Sequence, residues 1–306
     1  MKIIFIHGIK QQIFDANSFQ SYWLNVFNTG MNTIEAQVNV EQLDLAFPFY
    51  GDILNHFNHR KAIHPDTLKP NWSFFAKLPR IRQQHSDALR QALEEIQLLP
   101  HHAEHQAYSL KNRFFLLSQL AKDRMLKEMV MLLNHFPDLH ESLIEKFLCE
   151  VYLYWYNPEF KQQVHERILS CFEPHKHHIV IAHSLGTVIA YNLLHELSHH
   201  YEIKRFITLA SPLPFNVMQR HLNRPMQKPN VLTGEWFNFY SQEDYLTTFP
   251  MLPPVFDFHP QIDNKLITTF ADKPHEIIGY LQHPLVVRRV LELLYDMPRF
   301  HADAVP

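Results

Sequence analysis

Glycine is scarce in this sequence, at 6 of 306 residues, where average usage of about 7% would give roughly 21. A glycine that remains therefore marks a place where a side chain does not fit. Cysteine is scarcer still, with Cys149 and Cys171 the only two. They make at most one bridge, which excludes a disulfide-framed small domain and makes a reducing compartment the simpler expectation. Long apolar runs are absent as well. No stretch approaches the roughly 18 apolar residues of a membrane-spanning helix. The opening MKIIFIHGIKQQ carries one lysine and four apolar residues before His7, too short for the apolar region of a signal peptide. The expectation is a cytoplasmic protein without a transmembrane segment. There is no basic tract interleaved with aromatics, and 28 Lys and Arg face 31 Asp and Glu for a net charge of −3. A nucleic-acid partner has no electrostatic footprint here.

What is present is a globular composition, 46% hydrophobic and 19% charged. The length allows two domains or one α/β domain with an insertion. Ile3–Ile6 is short, β-branched-rich and closed by His-Gly, and reads as a buried strand. Val38–Phe47 alternates in part and predicts a second strand; the helical pattern around Asn17–Asn28 joins the two in a βαβ opening. Beyond it the text becomes Leu-, His- and Gln-rich and loses glycine. Helical spacing over Ser86–Leu99, Leu110–Leu133 and Leu139–Trp155 makes residues 53–150 a helical insertion between early strands. Residues 1–52 and 151–306 then form the core domain. Its later part predicts helices over Glu159–Phe172, Leu185–Leu197 and Pro284–Tyr295, and strands at Ile179–Ala182, Phe206–Ala210 and Trp236–Ser241. The all-apolar strands fit a mostly parallel, doubly wound sheet covered on both faces.

The chemistry is concentrated in the segment IVIAHSLGTVIAY, residues 179–191, where an apolar strand runs straight into a helix through Ala182-His183-Ser184-Leu185-Gly186. On so tight a turn the serine backbone is strained and its hydroxyl is thrown clear of the sheet. The residues two before and two after must be small, because strand end and helix start nearly touch; Ala182 and Gly186 satisfy this. The helix N-terminus favours a developing anion at the same spot.

This strand, turn and helix resemble the nucleophile elbow of the α/β-hydrolase family, G-x-S-x-G, with Ala182 in the first position as in some lipases of the family. The first strand and its His7-Gly8 turn look like the family's oxyanion turn. The resemblance implies an α/β-hydrolase fold, with Ser184 as nucleophile and the backbone amides of Ile9 and Leu185 as oxyanion donors. The family's acid and base follow the serine in that order. Past the strand ending at Ser241, Asp244 is the expected acid and Glu243 its near competitor. His275, 31 residues after Asp244, lies in what resembles the family's histidine loop, whereas His283 beside Pro284 reads as structural. The matched residues are 1–52 and about 151–298. The insertion either forms a lid over a lipid-like or long acyl substrate or simply packs on the sheet. The implied activity is ester cleavage, with thioester and amide open as substrates, without metal or organic cofactor.

Two rival readings remain. The chain has 23 histidines, and His195-Glu196-Leu197-Ser198-His199 is a literal H-E-x-x-H, the pattern of a zinc metalloprotease. It begins 11 residues past Ser184, roughly 16 Å along a helix axis, and lacks a third ligand at a zincin-like spacing. The other rival is a non-catalytic relative of the hydrolases that only binds ligands.

Overall fold

The computed structural model describes residues 1–8, 14–36, 38–59, 150, 151, 153–219, 222, 226–244, 249–270 and 273–295. Six strands, β1 (Lys2–Ile6), β2 (Asp44–Ala46), β3 (His177–His183), β4 (Glu202–Leu209), β5 (Leu232–Tyr240) and β6 (Asp263–Leu266), form one sheet. Its order is β2-β1-β3-β4-β5-β6, and every neighbouring pair is parallel. Helices among the described residues include α1 (Ala16–Thr33), α2 (Gly51–His59), α3 (Pro158–Leu169), α4 (Leu185–Glu196), α5 (Asn216–Gln219), α6 (Ile277–Leu281) and α7 (Pro284–Leu291).

Side chains alternate across a strand, so β1 feeds two cores at once. Ile3 and Phe5 join Trp23 and Phe27 of α1 and Val286 of α7 on one face. Ile4 and Ile6 join Phe57 of α2, Val164 of α3 and Val188 of α4 on the other. Burying each such side chain contributes about 1.5–3 kcal/mol, which is why the strands read as continuous apolar runs. Local signals start the helices. Asp15 accepts the Ser18 N–H at 2.9 Å ahead of α1. Asn157 accepts the Phe160 N–H at 3.0 Å ahead of Pro158. Both are side-chain caps for donors that the first turn leaves open.

From β1 the chain adds β2 on one side, and β3 lies against the other. The winding reverses at β1/β3, and it is outside the carboxyl ends of strands at such a switch point that open parallel sheets take their ligands. His7, Gly8 and Ser184 follow directly from those two ends.

Three expectations change. The second strand shrinks from Val38–Phe47 to Asp44–Ala46, because the Asn39 side chain accepts the Glu41 N–H at 2.9 Å and starts a 3-10 turn over Val40–Gln42. The last helix, α7, starts at Pro284 as expected but ends at Leu291, and the short α6 precedes it with no expectation of its own. The strand β6 has no apolar signature, since its sequence is DNKL and all four residues are partly or well exposed. A polar ladder anchors it instead. The Asn238 amide donates to Asn264 Oδ1 at 2.9 Å, and Asn264 exchanges two hydrogen bonds with the Met251 backbone. The helices expected at Ser86–Leu99 and Leu110–Leu133 lie outside the described residues, as does most of Leu139–Trp155, whose end at 150, 151 and 153–156 is helical.

Asn264→Ala would strand the buried Asn238 amide and the Met251 N–H together. The expected loss is about 2–6 kcal/mol, since each orphaned group costs about 1–3 kcal/mol, read as a lower urea midpoint at unchanged slope.

Candidate active site

Ser184 caps the N-terminus of α4 with φ 54° and ψ −128°, a conformation that L-residues other than glycine rarely adopt. Its surroundings hold it there. Its N–H donates to the Leu209 carbonyl at the end of β4 at 3.0 Å. The Thr187 hydroxyl donates to the Ser184 carbonyl at 2.7 Å and is itself paired with the Ser211 hydroxyl at 2.7 Å. The turn is also pressed against β1. A Cβ built on Gly186 would lie 2.3 Å from the His7 carbonyl oxygen, and one on Gly8 would lie 2.6 Å from the Ser184 Cβ. Only residues without a side chain fit at those two positions. Ala182 is fully buried in β3.

The carboxyl-end loops bring three side chains together. Ser184 Oγ is 2.8 Å from His275 Nε2. His275 Nδ1 is 2.9 and 3.0 Å from the two Asp244 carboxylate oxygens. Asp244 is 1% exposed, and a buried carboxylate needs its hydrogen bonds. It accepts from His275 Nδ1–H, which leaves the Nε2 lone pair to accept the Ser184 hydroxyl proton. Glu243 turns elsewhere and accepts from the Ser241 hydroxyl, a bond that holds its carboxyl below the usual range. Of the two acidic candidates, Asp244 is the one brought to His275.

Two further histidines flank this group. His7 takes the Tyr50 N–H on Nε2 at 3.1 Å and donates from Nδ1 to the Gly8 carbonyl at 2.8 Å. Its ring stacks on Tyr50 with centroids 3.6 Å apart, and the Tyr50 hydroxyl donates to the His7 carbonyl. His7 therefore pins the end of β1 to the start of α2. His183 donates from Nε2 to the His275 carbonyl at 3.1 Å. Burial pushes both imidazoles down to about 3, so both are neutral around the triad-like group at ordinary pH.

Leu185 is the first residue of α4, and its N–H has no acceptor within its own helix. The N-terminus of α4 thus lies at the Ser184 turn. The second expected oxyanion donor, Ile9, lies outside the described residues. Ser184 is 0% exposed, packed beneath Gly8 and His275. Residues missed from sequence are Tyr280, whose hydroxyl donates to Asp244 Oδ2 at 2.7 Å, and the Thr187–Ser211 pair. The Tyr280 contact spans 36 residues, with no local pattern to announce it.

The other histidine candidates are bound up elsewhere. α4 ends at Glu196, so His199 is off the helix that carries His195. His195 donates to the Gln227 carbonyl at 3.2 Å, and Glu196 is engaged by His165 and Lys161. His283 caps α7 by accepting the Leu285 N–H. Among the described residues no group of three or more metal-ligating side chains could hold an ion, and no helix is long and apolar enough to cross a membrane. Comparison of the chain with known proteins finds no matching protein-family model, no matching curated protein and no matching solved structure.

The histidine burial has a pH signature. Both His7 and His183 have folded pKa values below the unfolded value of 6.5. The unfolded chain therefore binds more protons between pH 6.5 and about 3, and their contribution to stability, complete above 6.5, is lost as pH falls through that window. Each contributes a slope of up to about 1.4 kcal/mol per pH unit. Urea midpoints between pH 6.5 and 4.5 should fall less steeply in His183→Gln than in the wild type.

Proposed function

We propose that the protein is a serine hydrolase of the α/β-hydrolase fold that cleaves a carboxylic ester, with thioesters and amides as chemically related substrates. The observation that carries this reading is the continuous Ser184–His275–Asp244 relay, with hydrogen bonds of 2.8 and 2.9 Å. The strained backbone at Ser184 supports it, since strain of this kind is retained where the surroundings over-determine it. The location at the β1/β3 switch point supports it too. The α/β-hydrolase assignment rests on the elbow residues Ala182, Ser184 and Gly186 and on the His7-Gly8 turn.

In this reaction Ser184 Oγ attacks the acyl carbonyl while His275 Nε2 takes its proton. The carbonyl becomes a tetrahedral oxyanion facing the Leu185 N–H and the positive end of α4. Asp244 holds the imidazole tautomer and stabilises the imidazolium. His275 then returns the proton to the leaving alcohol oxygen, and the acyl group stays on Ser184. Water, deprotonated by the same imidazole, releases the acid and restores the hydroxyl. The neutral state of His7 and His183 matters here, because a second cation would oppose the imidazolium at close range.

The zero exposure of Ser184 favours one competing reading, a ligand-binding relative without turnover. A fluorophosphonate probe separates the two. The hydrolase reading expects labelling that is lost in Ser184→Ala and unaffected by chelators, and Asp244→Asn should lower ester turnover by about 10³–10⁴-fold, with little change in Glu243→Gln. Absence of labelling in the folded wild type would favour the binding protein. Turnover that survives in Ser184→Ala and is lost on chelation would favour a metalloenzyme.

A further inference from the structure

The Asp244 carboxylate has a second donor that the relay itself does not require. Tyr280 on α6 is 0% exposed, and its hydroxyl donates to Asp244 Oδ2 at 2.7 Å. The same oxygen lies 2.9 Å from His275 Nδ1. Tyr280 follows His275 by five residues, so one short segment supplies both donors to one carboxylate. The opposite end of that segment is also gripped, by the His183 Nε2–H on the His275 carbonyl.

We infer that Tyr280 is a positioning residue of the relay: its hydroxyl fixes the Asp244 carboxylate in the orientation that holds the His275 imidazole toward Ser184. This inference rests on the hydrolase reading. The choice of a phenol is physically apt. Rotation of the Asp244 carboxylate about its Cβ–Cγ bond would carry the imidazole away from Ser184, and the Tyr280 hydroxyl is a contact that opposes it. A lysine or arginine in the same place would also do so, but its charge would cancel the field that stabilises the imidazolium. Tyrosine supplies a donor with no charge. Burial of both groups keeps water from replacing the bond.

His275 and His183 are titratable groups beside this pair. His275 meets Asp244 and Ser184, and its ring lies 5.3 Å from that of His183. The Tyr280 ring lies 6.0 Å from His183. His183 and, behind it, His7 are neutral in the working range. Asp244 is the carboxylate hydrogen-bonded to His275 Nδ1, and Tyr280 takes part of its electron density into a second hydrogen bond. Removing the hydroxyl should strengthen the carboxylate's hold on the His275 proton and raise the pH at which the imidazole becomes a free base.

The test is the rate of fluorophosphonate labelling of the full chain as a function of pH, in the wild type, Tyr280→Phe and Tyr280→3-fluorotyrosine. In Tyr280→Phe we expect a plateau rate lower by about three- to thirtyfold and an acid midpoint moved up by about half a unit. The fluorinated residue is a stronger donor that keeps the ring in place, and it should move the midpoint the other way. It keeps the test open if Tyr280→Phe does not fold. Equal rates and midpoints in wild type and variants would overturn the positioning role while leaving the hydrolase reading intact. A lower rate with an unmoved midpoint in both variants would also overturn it, as the mark of a merely structural tyrosine. A wild type that never labels would remove the hydrolase reading, and this inference with it.

Discussion

The arrangement depends on how closely two strand ends approach each other. The turn after β3 can press on the end of β1 only because positions 8 and 186 carry no side chain; a methyl at either would meet atoms 2.6 or 2.3 Å away. That closeness keeps Ser184 at positive φ, a conformation that costs of order 1–3 kcal/mol. The compensation comes from fixed bonds around the turn: the Ser184 N–H to β4, and the Thr187 hydroxyl to the Ser184 carbonyl. A turn free to relax to ordinary dihedrals would redirect Cβ and take Oγ out of reach of His275. The hydroxyl–imidazole contact is thus a consequence of backbone packing as much as of the two residues that make it.

Around that turn, neutrality is arranged with care. Three histidines lie within two residues' reach of the serine turn or its partner segment, yet burial keeps His7 and His183 uncharged. Both serve as hydrogen-bonding struts, one tying β1 to Tyr50 and the other tying the elbow to the His275 backbone. Asp244 is the carboxylate paired with the His275 imidazole. The side chains that meet here come from the ends of β3 and β5 and from the segment before α6, so the rigid sheet sets their spacing and the loops supply their chemistry.

Much of this was readable because the relevant residues obey strong local rules. A strand running into a helix through small-x-Ser-x-Gly leaves few conformations, and it located Ser184 and the α/β layering together. Asp244 could be read only to within one residue, since Glu243 and Asp244 occupy the same strand-end turn and only the direction of each side chain distinguishes them. Asn39 redirected the expected second strand by a side-chain bond that no hydrophobic pattern records. β6 was invisible because an edge strand held by an asparagine ladder needs no apolar face. Tyr280 was invisible because its partner lies 36 residues away, a relation set by the packing of α6 rather than by any period in the sequence. The burial of Ser184 likewise has no local signal, because neighbours distant in the chain cover it.

The most direct measurement is a crystal structure of the chain after reaction with a fluorophosphonate. The account predicts phosphorus bonded to Ser184 Oγ, the phosphonyl oxygen against the Leu185 N–H, and the His275 imidazole still on Asp244. Phosphorus on any other residue, or an adduct at Ser184 with His275 detached from Asp244, would contradict it.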